Sequence, residues 1–199
     1  MPSLRMSKKL FWLLPLLIAG CTTKVTRVES GSTIDLSGRW NDSDSRLVAE
    51  EMINDCLGQR WLYKWESENK KPVVIVGKIT NKSHEHISVE TFTKDMERAL
   101  LNSGKVGFVA TKAEREQLRD EKADMTENAS APTAKSAGEE TGADLMLIGT
   151  INTIVDQEGN KAVVYYQTNL ELVEIESNQK VWIGEKKIKK FVERATTTF

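Results

Sequence analysis

The chain is poor in the residues that most often announce chemistry. Its 199 residues include two cysteines, two histidines and four prolines, and no charge of one sign dominates, with 28 Lys and Arg against 29 Asp and Glu. No Gly-rich phosphate loop, nucleophile elbow or Walker-type run occurs, so the common signatures of nucleotide binding and acyl transfer are missing. The two histidines fall together at His84-Glu85-His86. Two imidazoles on one side of an extended segment can begin a metal site, but a third ligand at fixed spacing is lacking, and a solvated loop is the simpler reading. Paired polar groups such as Ser43-Asp44-Ser45, Asp124 with Glu127, and Glu139-Glu140 fall at helix starts and on wet faces, where capping and solubility account for them. The charge runs Glu114-Arg115-Glu116 and Lys186-Lys187 read as solvated faces. Nothing here proposes bond chemistry, so no enzyme activity, cofactor, metal or small-molecule substrate is expected.

Long apolar runs are also missing. The longest stretch, Leu10 to Ala19, would rise only about 15 Å as a helix, half of the roughly 30 Å hydrocarbon core, which excludes a permanent span. Its surroundings give it another meaning. Arg5, Lys8 and Lys9 precede it and Ile18-Ala19-Gly20-Cys21 follows, the arrangement of an export signal cut before Cys21. The Leu/Ile-small-Gly-Cys ending resembles the type II signal of bacterial lipoproteins, in which Cys21 receives a diacylglycerol thioether and then an N-acyl chain. Several acyl chains at about 0.8 kcal/mol per buried methylene hold such a protein on its membrane, where one chain would leave exchange.

Removal of residues 1–20 takes away three basic residues and no acidic ones, leaving 25 minus 29, a net charge of −4. A mildly acidic export product is no electrostatic match for nucleic acid. With Cys21 acylated, no intramolecular disulfide can form. Cys56 falls on the stripe Ala49, Met52, Ile53, Cys56, at helical i, i+3, i+4, i+7 spacing, and reads as a small core residue. About 165 folded residues suffice for one domain with its own core.

The organisation reads as signal peptide 1–20, lipidated tether 21–33, one domain 34–192 and a short tail 193–199. Thr22 to Thr33 is Thr/Ser-rich, and twelve to fifteen residues reach at most roughly 50 Å when extended. A helix is expected from about Ser45 to Leu57, with Gly58 as its stop, and a short one around Trp61, Leu62 and Trp65. Val73 to Ile79 is a continuous β-branched run and predicts a strand buried on both faces. Val89, Phe92, Met96 and Leu100 give one apolar face to a helix over Ser88–Asn102, and Phe108 to Ala110 a second strand, together a βαβ unit. A charged helix follows at Lys112–Lys122. The Thr, Asn, Ser and Ala of 123–134 predict a surface excursion, and a helix is expected at about Pro132–Glu140. Leu145–Ile151, Ala162–Val173 and Val181–Ile188, separated by turns at 157–160 and 176–179, form a three-stranded meander. The expected fold is therefore α/β: a single small sandwich domain, a mixed sheet with helices packed on it and a C-terminal antiparallel meander.

Five ordered segments, namely Asp35-Leu36-Ser37-Gly38-Arg39-Trp40-Asn41-Asp42, Pro72 to Gly77 with Asn81, Leu100 to Val106, Thr141 to Gly149, and Leu172 to Trp182, resemble the LpoB family of penicillin-binding-protein activators. The similarity runs from about Asp35 to Lys190. It implies a domain similar to the N-terminal domain of TolB and a lipoprotein on the periplasmic face of the outer membrane. It implies as partner a bifunctional class A penicillin-binding protein, bound through a docking domain and stimulated in peptidoglycan synthesis. Thr22 rather than Asp after the acylated Cys fits the outer membrane. The short tether departs from the long Pro-rich one of the family. Trp40, in a polar turn before the first helix, reads as a structural lid. The loop Asn81 to Ile87, with Asn81, His84 and His86, is the expected partner surface, since loops at strand ends carry function disproportionately. Two other roles share the anchor and fold: an envelope scaffold and a curli-type secretion-channel accessory. A pore subunit needs about ten alternating residues per membrane strand, and 95–105 and 123–137 show no such alternation.

Overall fold

In a computed structural model that describes residues 23–130 and 140–195, five strands and four helices follow the order α1, α2, β1, α3, β2, α4, β3, β4, β5. The chain divides after Ser32 into two units. The described part of the first, 23–32, is exposed and contains one turn, closed by the Ser32 N–H donating to the Glu29 carbonyl at 3.0 Å.

The second unit is a helix layer on a mixed sheet of order β2-β1-β3-β4-β5. β1 (Val73–Asn81) runs parallel to β2 (Gly107–Phe108) on one side and to β3 (Leu145–Glu158) on the other. β3, β4 (Lys161–Glu174) and β5 (Lys180–Glu193) form the antiparallel meander, each 14 residues long. Asp144 sets the register where β1 and β3 begin. Its carboxylate accepts from the Val73 N–H at 2.7 Å and its own N–H donates to the Val73 carbonyl at 2.8 Å.

α1 (Asp42–Leu57) starts three residues before its expected position because Asn41 and Asp44 form a reciprocal capping box. The Asn41 side chain accepts from the Asp44 N–H at 3.0 Å and the Asp44 carboxylate from the Asn41 N–H at 3.0 Å, satisfying two amides that the helix itself leaves unbonded. α1 buries Val48, Ala49, Met52, Ile53, Cys56 and Leu57; α3 (Val89–Asn102) buries Phe92, Met96 and Leu100. The two helices pack on each other, α1 also against β5 and α3 against β1 and β2. Beneath them lie Val74, Val76, Ile79, Leu145, Leu147, Ile151, Leu170, Leu172 and Trp182. Cys56 is thus a core residue, 1 % exposed, and burial pushes its thiol up to about 12. α2 (Trp61–Ser67) buries Leu62 and is pinned by the Trp61 indole N–H, which donates to the Cys56 carbonyl at 2.8 Å.

Three expectations need correction. β1 is not buried on both faces: Val74, Val76 and Ile79 are buried while Val73 and Ile75 are half-exposed, because the helices cover one side of the sheet only. The second strand shrinks to the bridge Gly107–Phe108. α4 runs over Lys112–Asn128, through the first half of the expected excursion. Its start is a capping box of Thr111 with Glu114, and Thr126 bonds back to the Lys122 carbonyl at 2.8 Å near its end. The helix expected at 132–140 lies outside the described residues except for Glu140.

Candidate partner-binding site

Fourteen residues of strand span about 46 Å, whereas the 16 residues of α1 rise about 24 Å. The meander therefore outruns its helices. On the helix side of the sheet, the far ends of β4 and β5 present Ala162, Val164, Tyr166 and Val192, of which the first three are buried. Against Tyr166 and Val192 lie residues 34–41, a strap without helix or strand.

The strap is shaped to lie flat. Gly38 sits at φ +71°, and a Cβ there would fall 2.2 Å from the Val192 Cγ2, so both the backbone angle and the space call for glycine. The Tyr166 hydroxyl lies 3.3 Å from the Gly38 carbonyl. Trp40 stacks edge-on against Phe92 and Tyr166, with ring centroids at 6.1 and 5.5 Å, and its indole N–H donates to the Ser45 hydroxyl at 2.7 Å. The sequence reading of Trp40 as a lid matches this position.

Glu85 joins the strap to the β1–α3 loop. One carboxylate oxygen accepts the Tyr166 hydroxyl at 2.7 Å and the other accepts the Trp40 N–H at 3.0 Å. Burial first, and then the Glu85 bond and charge, push the Tyr166 phenol well above its ordinary value of 10, since a phenolate beside a carboxylate in a water-poor corner is unfavourable. Lys190 closes the other side. Its ammonium reaches Asp35 and Asp44, each at 2.6 Å, and the Arg39 carbonyl at 3.1 Å. Burial opposes its charge, but the two carboxylates outweigh burial and hold it above the usual lysine range.

The three residues predicted for the partner surface occupy one loop in two roles. Asn81 is half-buried and shapes the loop: its carbonyl accepts the Ser83 N–H at 2.9 Å and its amide donates to the Glu85 carbonyl at 2.8 Å. His84 and His86 are exposed. The His84 Nδ1 lies 3.0 Å from the Thr153 hydroxyl on β3, which fixes that ring, and alternation places Glu85 inward between two outward imidazoles. Glu85, Tyr166 and Lys190 were not singled out from the sequence. Their partners lie 45 to 155 residues away, and no local pattern marks them.

A second surface is the sheet face opposite the helices. Ile154, Ile183 and Phe191 are each about two-thirds exposed there, and a depression of about 300 Å³ is lined by Lys78, Thr80, Ile148, Thr150, Asn169 and Glu171. Among the described residues no group of three or more His, Cys, Asp or Glu is placed to hold a metal ion, and no helix is long and apolar enough to cross a membrane.

The carboxylate of Glu85 holds the strap to the β1–α3 loop, the ammonium of Lys190 holds it to β5 and α1, and His84 and His86 of that loop are exposed. A family model described as "Peptidoglycan-synthase activator LpoB" matches residues 44–188, which is most of the chain. The protein belongs to the LpoB family, whose members are by that description regulators of peptidoglycan synthases and not the synthases themselves. No curated protein matches the sequence. Among solved structures it is similar to the LpoB C-terminal domain from Escherichia coli, at 17 % identity over 74 % of this chain and 99 % of that one, with a TM-score of 0.43. The LpoB C-terminal domain from Salmonella enterica matches at 14 % identity over 74 % and 99 %, with a TM-score of 0.42. The NMR structure of E. coli LpoB matches at 12 % identity over 96 % and 91 %, also at 0.42.

Proposed function

We propose that this protein is an outer-membrane lipoprotein, acylated at Cys21, whose domain docks on a bifunctional class A penicillin-binding protein in the periplasm and stimulates its peptidoglycan synthesis. The observation that carries this reading is the family match over residues 44–188. The sequence before Cys21 supports the anchor: a basic start, a short apolar run and Ile18-Ala19-Gly20-Cys21 are the parts of a lipoprotein signal. Activation needs no reacting group on the activator. It needs a surface that binds the active state of the synthase better than the inactive one, because a ligand shifts an equilibrium only by its differential affinity.

The loop from Asn81 to Ile87 is the surface assigned to that contact. It is rigid enough to bind without a large ordering cost, since Asn81, Glu85 and the His84 ring each have a fixed partner. The exposed imidazoles of His84 and His86 face outward from it. The tether gives the geometry. Residues 21–33 reach at most roughly 50 Å, so the synthase must present its docking region close to the anchoring membrane.

The experiment is a binding measurement between the full-length protein and each purified class A penicillin-binding protein of the same bacterium. One synthase is expected to bind, with affinity reduced severalfold in the double variant His84→Ala, His86→Ala and the thermal unfolding of the domain unchanged. Binding that ignores the double variant moves the contact to another face; absence of binding to every synthase overturns the activator reading.

A further inference from the structure

The strap and the β1–α3 loop have different origins in the chain and share one carboxylate. Glu85 takes the Trp40 N–H from the strap on one oxygen and the Tyr166 hydroxyl on the other, and that same hydroxyl lies against the Gly38 carbonyl. The loop backbone around Glu85 is in turn fixed by Asn81 and Ser83, both of which donate to the Glu85 carbonyl, at 2.8 and 3.0 Å. The strap has no ladder or helix of its own to fall back on, and the loop leaves its last ladder bonds to β3 at Asn81 and Lys82. If the strap lifts, Glu85 loses a backbone donor, and the Tyr166 ring, 1 % exposed, loses its cover. If Glu85 swings out, the strap loses its bond to the loop and keeps its ties to Lys190, Ser45 and the Tyr166 and Phe92 rings. Partly buried polar networks of this kind form or fail together, because a half-satisfied member is costly.

We propose that residues 34–41 and 81–87 are one cooperative latch. Docking of the strap holds the partner-facing loop in its ordered form, and release of the strap loosens it. The strap follows directly on residues 23–32, so tension on the chain before Thr33 acts first on this latch. The link to synthase regulation rests on the loop being the docking surface and on residues 21–33 being a membrane tether; the latch itself does not. By linkage the coupling is reciprocal: whatever loop order contributes to strap docking, strap docking contributes to loop order. A partner that binds the ordered loop therefore tightens the strap, and a pull that frees the strap weakens the partner.

Amide hydrogen exchange on the full-length protein tests this with one variant in each half. Gly38→Ala places a Cβ against Val192 at a left-handed backbone position, and Glu85→Ala removes the shared acceptor. The latch predicts that Gly38→Ala speeds exchange in 82–87 and Glu85→Ala speeds exchange in 34–41, each by roughly tenfold or more, while the amides of α3 and β3 keep their protection. Should Gly38→Ala unfold the whole domain, Asp35→Asn, which weakens the exposed end of the Lys190 pair, makes the same test more gently. Two variants that each loosen only their own segment overturn the latch. Synthase affinity measured on the same proteins separates it from the functional reading: coupled exchange with unchanged affinity sustains the latch and removes the loop as docking surface. Uncoupled exchange with lost affinity does the reverse.

Discussion

The strap of residues 34–41 has no regular secondary structure, yet it touches α1, β4, β5 and the β1–α3 loop through Trp40, Gly38, Lys190 and Glu85. α4 is 17 residues of uninterrupted helix, and none of them is buried. Its ties are the exposed ion pairs of Glu114 with Lys94 on α3 at 3.0 Å and of Arg119 with Glu140 at 2.7 Å, and a part-buried bond from the Arg115 guanidinium to the Ala110 carbonyl at 2.8 Å. The two regions teach that regularity and attachment are separate properties. Helical hydrogen bonds stabilise a segment internally, while burial and cross-element bonds decide whether the rest of the fold depends on it.

That difference is open to direct test. The largest effect is expected at Trp40→Ala, which removes the ring packed on Phe92 and Tyr166; about 3 kcal/mol of stability should be lost, read as a shifted urea midpoint. The matching truncation on the helix, Leu118→Ala, removes a side chain that is 52 % exposed and should cost less than about 0.5 kcal/mol. Equal losses at the two sites would erase the distinction.

Next in size is Lys190→Met. It leaves Asp44, whose side chain is 10 % exposed, facing Asp35 without a cation, and about 2 kcal/mol should be lost, with the strap made sensitive to proteolysis. Thr111→Ala sharpens the comparison from the other side. Loss of the α4 cap should cost about 1 kcal/mol locally, visible as faster amide exchange in 112–116, with little change in global unfolding because no residue of that helix is buried.

The smallest effect is one of pH. Glu114 is held down to about 2, from its ordinary value of 4.5, by the Thr111 backbone bond first and then by the bond from Lys94. A lowered carboxylate stabilises the fold above the ordinary value, and that contribution is lost as pH falls from about 4.5 towards 2. Acid should therefore fray the first turn of α4 as pH falls through that range, and carboxyl titration by NMR would show it. Cys56 provides a fixed point: its thiol, buried and raised to about 12, should not react with thiol reagents at neutral pH unless the domain unfolds.

Much of the fold was legible in the sequence because its signals are local. The stripe Ala49, Met52, Ile53, Cys56 and the face Phe92, Met96, Leu100 are read within one helix each, and the turn signals at 157–160 and 176–179 mark the two connections of the meander, the first of them tightened to Gly159 and Asn160. β1 misled because a run of β-branched residues satisfies a one-sided sheet as well as a two-sided one; only the placement of α1 and α3 decides. The end of α4 was missed because Asn, Thr and Ser suggest a loop, while the helix was continued by capping and by neighbours four residues apart. In the candidate site the exposed loop was visible and its support was not. His84 and His86 stand out as the only histidines, whereas Glu85 between them has its significance through Trp40 and Tyr166, 45 and 81 residues away.

The most direct test of the account is glycan polymerisation on a lipid-linked precursor, followed for each purified class A penicillin-binding protein of the same bacterium with and without the full-length protein. The account predicts that one synthase is accelerated severalfold and the others are not. Unchanged rates for every synthase under conditions where the protein is folded would contradict it.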